Sequence, residues 1–365
     1  MKVLFLSAAS STHTVRWVNA LCKRGHEIFL VYNRGHEAAA DKIDQKVKTY
    51  ELPFSGSKGY YLNAVYLKKL ANKLKPDVIN AHYASGYGTL ARIACIRPVL
   101  LSVWGSDVYD FPNESKIKKR ILKKNILAAT KIASTSECMA RELKKVVGKP
   151  LEIEITPFGV DLDKFNPERF AADKDDHVVT IGNIKLIKQN YGIKELILVA
   201  EMLIRDKDFL KSVNKEIRVE IYGDGDQRTE LEQYVKDRNL QDIIHFNGQI
   251  ANEKVPEALS KMDIFCALSH KESFGVSAVE AMAMGLPVVV SNAEGFQEVT
   301  ENNITGYTVS YNDLQRCKEL LKKLIRDREL RLEMGSNGRR RVAALYDWGK
   351  NVLKMEQIYR EVSKV

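Results

Sequence analysis

Short apolar runs alternate with helix-length amphipathic segments along the whole chain. In the first half the runs are Val3–Ser7, Ile28–Tyr32, Val47–Leu52, Val78–Asn80, Val99–Val103 and Ile132–Ser134, with Ile153 and Ile155 closing the set. Helical periodicity covers Thr12–Arg24, Tyr61–Lys75, Gly86–Ile96, Ser115–Ala129 and Ser136–Val147. Strands that alternate with helices predict a parallel sheet covered on both faces. From Thr156 to Asp176 the text is rich in Pro, Asp and turn formers, which predicts an interdomain linker. A second alternation follows, with Val178–Ile181, Ile217–Tyr222, Ile244–Asn247, Ile264–Ala267, Val288–Ser291 and Gly306–Val309 as strands. Helical text runs on from Asn312, breaks near Asp347–Trp348 and resumes as an amphipathic stretch to Glu361. The expectation is an α/β chain of two doubly wound, Rossmann-like domains, residues 1–158 and 159–345, and a last helix over 346–365.

The length, 365 residues, is about twice that of a typical domain and agrees with two cores. Cys22, Cys95, Cys138, Cys266 and Cys317 are scattered without C-x-x-C spacing, which argues against a zinc site and fits reduced, cytosolic thiols. The apolar run within residues 1–11 is too short for a signal peptide and leads straight into an amphipathic segment, so it reads as a first strand. No run approaches the ~20 apolar residues needed to span a bilayer. Charge is divided unevenly. Residues 1–150 carry 26 Lys+Arg against 11 Asp+Glu, a net +15, whereas residues 151–365 carry 31 against 36, a net −5. The asymmetry predicts an anionic partner for the first half alone. No nucleic-acid-binding signature accompanies it, so an anionic membrane surface is expected and nucleic acid is not.

The most informative chemistry lies in E-S-F-G-V-S-A-V-E, where Glu272 and Glu280 stand eight positions apart around a helix start. Strand-like Ile264–Leu268 precedes it, and A-M-A-M-G-L-P-V-V-V-S follows. The helix should begin near Gly275–Val276 and stop at Gly285, a residue suited to a left-handed C-cap. The backbone N–H groups of Phe274, Gly275 and Val276 then lack intrahelical acceptors and suit a phosphate. Eight helical residues span at most ~12 Å, the scale of a nucleotide-sugar. One carboxylate could accept hydrogen bonds from sugar hydroxyls and the other from ribose, with a diphosphate between. This stretch resembles the E-x7-E motif of retaining glycosyltransferases of the GT-B fold, and the whole chain resembles family 4, the group 1 type.

The resemblance implies two domains facing a central cleft, with the terminal helix returning to the first. It implies a UDP- or GDP-sugar as donor substrate, no further cofactor and no metal. Glu272 would orient the donor sugar and Glu280 the ribose, with Ser273, Phe274, Gly275 and Val276 at the diphosphate. I-G-N-I-K-L-I-K-Q-N-Y-G-I occupies the place of the family's G-R-x4-K-G, but Asn183 stands where arginine is usual. Lys185 and Lys188 are the cations available there, and Tyr191 before Gly192 leaves the register between them open. Gly223 and Gly225 form the turn that approaches the nucleotide, and Gln249 and Ile250 follow the strand whose loop holds the base. In the first half His82 would face the donor sugar. Ser11, His13, Arg16, Ser106 and Asp107 are the candidates for acceptor contacts. The D-x-D triplets Asp161/Asp163 and Asp224/Asp226 lack the convergent oxygens a hard cation wants, so neither is expected to hold a metal.

Ser115–Ala129 places Ile117, Ile121 and Ile126 roughly on one face, while Lys118, Lys119, Arg120, Lys123 and Lys124 crowd the rest. That is the pattern of an interfacial helix. Tyr60, Tyr61 and Tyr66 with Lys68, Lys69, Lys73 and Lys75 offer a second aromatic and basic surface. The expected protein is a peripheral enzyme on the cytoplasmic face of the membrane, acting on a lipid-linked or glycan acceptor. Two other readings remain: a nucleotide-sugar-binding, membrane-associated scaffold without turnover, and a nicotinamide dehydrogenase. The latter is disfavoured because no G-x-G-x-x-G follows Val3–Ser7.

Overall fold

Residues 1–39, 41–170 and 175–365 are described in the computed structural model; positions 171–174 of the expected linker lie outside them. The apolar runs of the first half become β1 (Lys2–Leu6), β2 (Glu27–Asn33), β3 (Lys48–Leu52), β4 (Val78–His82), β5 (Val99–Val103), β6 (Lys131–Ser134) and β7 (Ile153–Ile155). They pair in parallel in the order β3-β2-β1-β4-β5-β6-β7. In the second half β8 (Val178–Ile184), β9 (Glu216–Tyr222), β10 (Ile244–Gly248), β11 (Ile264–Ala267), β12 (Val288–Ser291) and β13 (Gly306–Val309) pair in the order β10-β9-β8-β11-β12-β13. Helices cover both faces of such sheets, so the central strands read as unbroken apolar text. Val3, Leu4, Phe5 and Leu6 are all buried on both faces.

Strand order reverses between β1 and β4 in one sheet and between β8 and β11 in the other. Ligands bind outside the C-terminal strand ends at such reversals, so the loops after these four strands are where chemistry is expected. The chain divides into two units, Met1–Phe158 with Gly349–Val365, and Gly159–Trp348.

Several local features depart from periodicity for physical reasons. The single helix expected over Tyr61–Lys75 is two, Gly56–Leu62 and Ala64–Leu74. Asn63 lies between them, buried, because its amide donates to Phe54 O (2.9 Å) and accepts from Phe54 N (3.1 Å). The helix expected over Gly86–Ile96 is regular only from Gly88 to Ala94, after a π-helical turn over Tyr83–Tyr87. His82, expected just beyond its strand, is the last residue of β4 and pairs with Ser102. Ser115 and Ser136 do cap their helices, accepting from the amides of Lys118 (3.1 Å) and Met139 (3.3 Å). At Gly285 (φ 75°) the chain ends the helix Val276–Ala283 in a Schellman pair, with Gly285 N bonded to Met282 O and Leu286 N to Ala281 O. Among the described residues no helix is long and apolar enough to cross a membrane.

The last helix, Trp348–Val362, belongs from Gly349 onward to the first unit. Glu356, 3% exposed, accepts from Arg24 Nε (2.6 Å), and His26 Nε2 lies 2.9 Å from the same oxygen. Tyr359, buried, donates to Asn80 Oδ1 (2.8 Å). The Arg24 hydrogen bond, and secondarily that of His26, holds the Glu356 carboxyl below its ordinary range. A depressed carboxylate pKa stabilises the fold above the ordinary range, and that stability is lost as pH falls through the lower, folded value. Glu356→Ala removes the acceptor and leaves the half-exposed Arg24 unpaired. Urea denaturation should show the first unit weakened by about 2–4 kcal/mol at pH 7, with the difference from the parent shrinking as pH drops below 4. Equal unfolding midpoints at pH 7 would mean that the Glu356 contacts add nothing to the hold on this helix.

Candidate functional site

The reversal point of the second unit gathers most of the expected donor residues. After β8 the chain runs Lys185–Lys188, then a tight turn over Gln189–Tyr191, then the helix Ile193–Ile204. After β11 it runs Leu268–Gly275 into the helix Val276–Ala283. Adjacent strands bring these loops together, and Lys185 Nζ lies 2.5 Å from Glu272 Oε2, with side chains 17% and 11% exposed. The second Glu272 oxygen accepts from Ser273 N (3.2 Å). Lys185 Nζ also sits 4.8 Å above the Tyr191 ring, a cation–π contact that steadies the ammonium in its half-buried place. Lys188 lies elsewhere: it is exposed and precedes the tight turn. Of the two lysines, the one facing the carboxylate is Lys185.

The helix beyond Glu272 starts at Gly275, whose φ of 95° only glycine holds without strain. Phe274 is buried, edge-on to Tyr346 at 5.5 Å. The Ser277 hydroxyl, in the first helical turn, is buried without a hydrogen-bond partner. Glu280 is half-buried one turn further on. The arrangement sets an ammonium and two carboxylates around a helix N-terminus, groups that suit an anion and hydroxyls.

Asn183 departs from its expected role. It is 1% exposed, and its amide donates inward to Cys266 O (2.7 Å), fastening β8 to β11 beyond their last ladder pair, Gly182 and Phe265. Gly223 and Gly225 also serve the chain itself. A Cβ on Gly223 would fall 1.8 Å from Lys185 O, and one on Gly225 2.2 Å from Ile187 O. These glycines let the turn after β9 support the Lys185 loop. Gln249 (exposed) and Ile250 (half-buried) follow β10 at the same sheet edge.

At the reversal point of the first unit, His82 is wholly buried. Its Nε2 bonds Asn80 Oδ1 (2.9 Å), Nδ1 has no partner, and Trp104 lies edge-on at 4.2 Å. Burial, reinforced by His13, lowers its pKa to about 3. His13 stacks on Phe158 at 3.7 Å, and burial plus Arg16 lowers it to about 4. Asp107 is turned inward: its oxygens accept from the amides of Ala84 (2.8 Å), Gly105 (2.9 Å) and Trp104 (3.2 Å), and burial raises its pKa. With those oxygens committed to the loop, Asp107 is a structural carboxylate, unlike the acceptor contact expected of it; its neighbour Ser106 is exposed. Ser11 and Arg16, both half-buried, flank His13 at the start of the helix Thr12–Lys23.

Nothing in the residue pattern marks Tyr83, held at φ 65° at the start of the π-helical turn, nor Ser277 and His270, which need tertiary contacts to be noticed. Strain of the Tyr83 kind clusters at functional sites.

The helix Lys116–Ala128 does not present one apolar face outward. Leu122, Asn125 and Ile126 are buried, while Ile117 is 67% exposed. Lys118 pairs with Glu114 over the Phe111 ring, and Lys123 is half-buried; Lys119, Arg120 and Lys124 are exposed. A larger apolar surface lies on the helices Gly56–Leu62 and Ala64–Leu74 and the segment just before them, where Phe54, Tyr61, Leu62, Val65 and Tyr66 are exposed near Lys68 and Lys69. Tyr60 instead packs edge-on to Tyr87 at 5.2 Å.

Residues 2–136 match the family model described as glycosyl transferase 4-like, and residues 164–341 match glycosyl transferases group 1. The chain therefore belongs to the group 1, family 4 glycosyltransferases, which sets the dehydrogenase reading aside. It is 22% identical over 361 residues to the N-acetyl-alpha-D-glucosaminyl L-malate synthase of Bacillus anthracis, covering 94% of this chain and 91% of that protein. It is 27% identical over 316 residues to the UDP-Gal:alpha-D-GlcNAc-diphosphoundecaprenol alpha-1,3-galactosyltransferase of Escherichia coli, covering 81% and 78%. The fold matches that of Anabaena HepE in complex with UDP and glucose, with a TM-score of 0.78 at 17% identity over 99% and 100% of the chains.

Both depressed histidines yield a pH prediction. The unfolded chain takes up protons near pH 6.5, whereas folded His82 and His13 do not until about 3 and 4. Stability of the first unit should therefore fall as pH drops below about 6.5. NMR titration should find the two imidazoles neutral and unmoved between pH 8 and 5; a midpoint near 6.5 for either ring would show it open to water.

Proposed function

We propose that this glycosyltransferase moves a sugar from a UDP- or GDP-sugar to a hydroxyl of a lipid-linked or glycan acceptor, with retention and without a metal. The observation that carries this reading is the Lys185–Glu272 pair beside a helix N-terminus with the uncommitted Ser277 hydroxyl. The UDP and glucose in the HepE structure and the diphosphoundecaprenol acceptor in the name of the Escherichia coli relative support the two substrate classes.

In the proposed reaction the bond from the anomeric carbon to the donor phosphate oxygen breaks. A bond to the acceptor oxygen forms on the same face, and the acceptor proton passes to the leaving phosphate. Lys185, the first-turn amides and Ser277 stabilise the leaving charge, the largest electrostatic requirement of such a step. Glu272 orients the sugar and Glu280 the ribose. With Asn183 turned inward, Lys185 carries the cationic role near the carboxylate, and Lys188 is left to longer-range attraction. Ser106, Ser11 and Arg16 offer polar groups at the first unit's edge, where the acceptor is assigned, whereas His82, wholly buried, has no exposed atom for the donor-sugar contact expected of it. The exposed Tyr61, Leu62, Val65 and Tyr66, with the basic helix after Ser115, favour a peripheral place on the anionic cytoplasmic leaflet.

Glu280→Gln should weaken UDP or GDP binding by roughly 1.5–3 kcal/mol in calorimetry, because an amide accepts hydroxyl hydrogen bonds less strongly than a carboxylate. Glu272→Gln should lower donor turnover while leaving nucleoside diphosphate affinity nearly unchanged. The parent rate should survive excess EDTA. Unaltered affinity in the Glu280 variant, or an EDTA loss that Mn²⁺ restores, would contradict the assigned roles.

For the membrane, glutamine in place of Lys119, Arg120 and Lys124 should reduce binding to anionic vesicles by about 1 kcal/mol per cation. Serine at Leu62 and Val65 should weaken it further, at about 25 cal/mol per Å² of apolar area withdrawn from the interface. Vesicle sedimentation with and without anionic lipid reads both effects, and equal pelleting of parent and variants would show these surfaces to be merely solvated.

A further inference from the structure

The loops after β8 and β11 are laced together by side chains to which no role has yet been given. His270 stands two residues before Glu272. Its amide donates to Asn190 O (2.9 Å), and its Nε2 lies 2.9 Å from Glu195 Oε1. Its ring centroid is 4.2 Å from that of Tyr311, which follows β13. One residue is thus held by its amide to the turn after β8, and by its imidazole to the helix behind that turn and to a third loop. Ser269 Oγ adds a long contact to Tyr191 O at 3.5 Å, and Tyr191 is the ring beneath Lys185. The contacts close on themselves, from Glu195 through His270 to Asn190 and Tyr191, up to Lys185, across to Glu272, and back along the chain to His270.

We propose that Glu195 and His270 are a positioning pair that sets the placement of Lys185 against Glu272; the inference rests on the donor-site reading of those two residues. Glu195 occupies the first turn of the helix Ile193–Ile204, where the helix dipole already favours a carboxylate. The fixed end of the pair is therefore Glu195, and His270 follows it. Gly192 makes this close approach possible: a Cβ there would lie 2.1 Å from Leu268 O, so the two loops touch by backbone just below the pair. Beyond Ala267 the second loop has left its ladder, and Lys271 faces solvent. The hydrogen bond from the His270 amide to Asn190 O fixes where His270 lies, and the imidazole–carboxylate contact fixes how the segment carrying Glu272 is rotated. Neither residue need touch the donor. They act through the two that do.

Donor hydrolysis kinetics and UDP calorimetry on the full chain test this together. His270→Leu should lower kcat for the UDP-sugar roughly ten- to a hundredfold, the scale on which a displacement of about 1 Å is felt. UDP affinity should stay within about twofold, because the substitution loosens the segment that carries Glu272 while Lys185 keeps its place at the diphosphate. His270→Gln, whose Nε2 reaches the same carboxylate, should recover most of the rate. In the Glu272→Gln background His270→Leu should cost nothing more, since coupled residues are not additive. A parental kcat in His270→Leu, a joint loss of kcat and UDP affinity, or full additivity with Glu272→Gln would each overturn the inference. A parent that neither binds nor hydrolyses any UDP-, GDP- or ADP-sugar removes the donor-site reading itself, an outcome separate from an active parent indifferent to His270.

Discussion

The second unit's site depends on the meeting of Lys185 and Glu272. The residues are 87 positions apart, and they touch because β8 and β11 are neighbours where the sheet reverses. Two largely buried charges give up much of their hydration, so their attraction adds little net stability, whereas removing one partner costs about 3–5 kcal/mol. The value of the pair is positional. An ammonium has three donors, so Lys185 can hold a phosphate oxygen without releasing Glu272. A diphosphate arriving at the helix N-terminus would meet a cation already oriented, and the carboxylate beside it would keep an oxygen for hydroxyls.

Backbone contact between loops makes that meeting possible. Gly223 and Gly225 bring the turn after β9 against Lys185–Ile187, and Gly192 brings the turn after β8 against Leu268. Gly295 does the same for the helix Glu294–Val299: its amide donates to Glu272 O (3.0 Å), and a Cβ there would lie 2.5 Å from Phe274 N. Glycines at the C-terminal edge of an α/β sheet invite a reading as ligand contacts. Here four of them pack loop on loop.

The first unit organises its edge by burial. His82 and His13 are kept neutral among Phe5, Trp104 and Phe158, and Asp107 ties the loop after β5 to the turn after β4. The sequence made the strands legible because buried parallel strands are continuous apolar runs, and it marked Glu272, Glu280 and the Gly285 stop through spacing and cap chemistry. It did not show that Asn183 and Asp107 bond the backbone behind them, since a polar residue near a loop looks alike whether its side chain turns outward or inward. It left Lys185 and Lys188 unresolved because loop register is set by Gly223 and Gly225, nearly forty residues away. His270 was invisible for the same reason: its partners Glu195 and Tyr311 lie 75 residues before it and in the loop after β13. The basic helix was only half legible, as periodicity places Ile117 and Ile126 together while packing buries one and exposes the other.

The most direct test of the central claim is calorimetry of UDP and of uridine with Lys185→Met. If Lys185 meets the diphosphate, UDP affinity should fall by roughly 2–4 kcal/mol, the cost of losing one charge-assisted partner. Uridine, which has no phosphate, should bind the variant and the parent alike. Equal UDP affinity in the two proteins would contradict the account, and so would a matching loss for uridine.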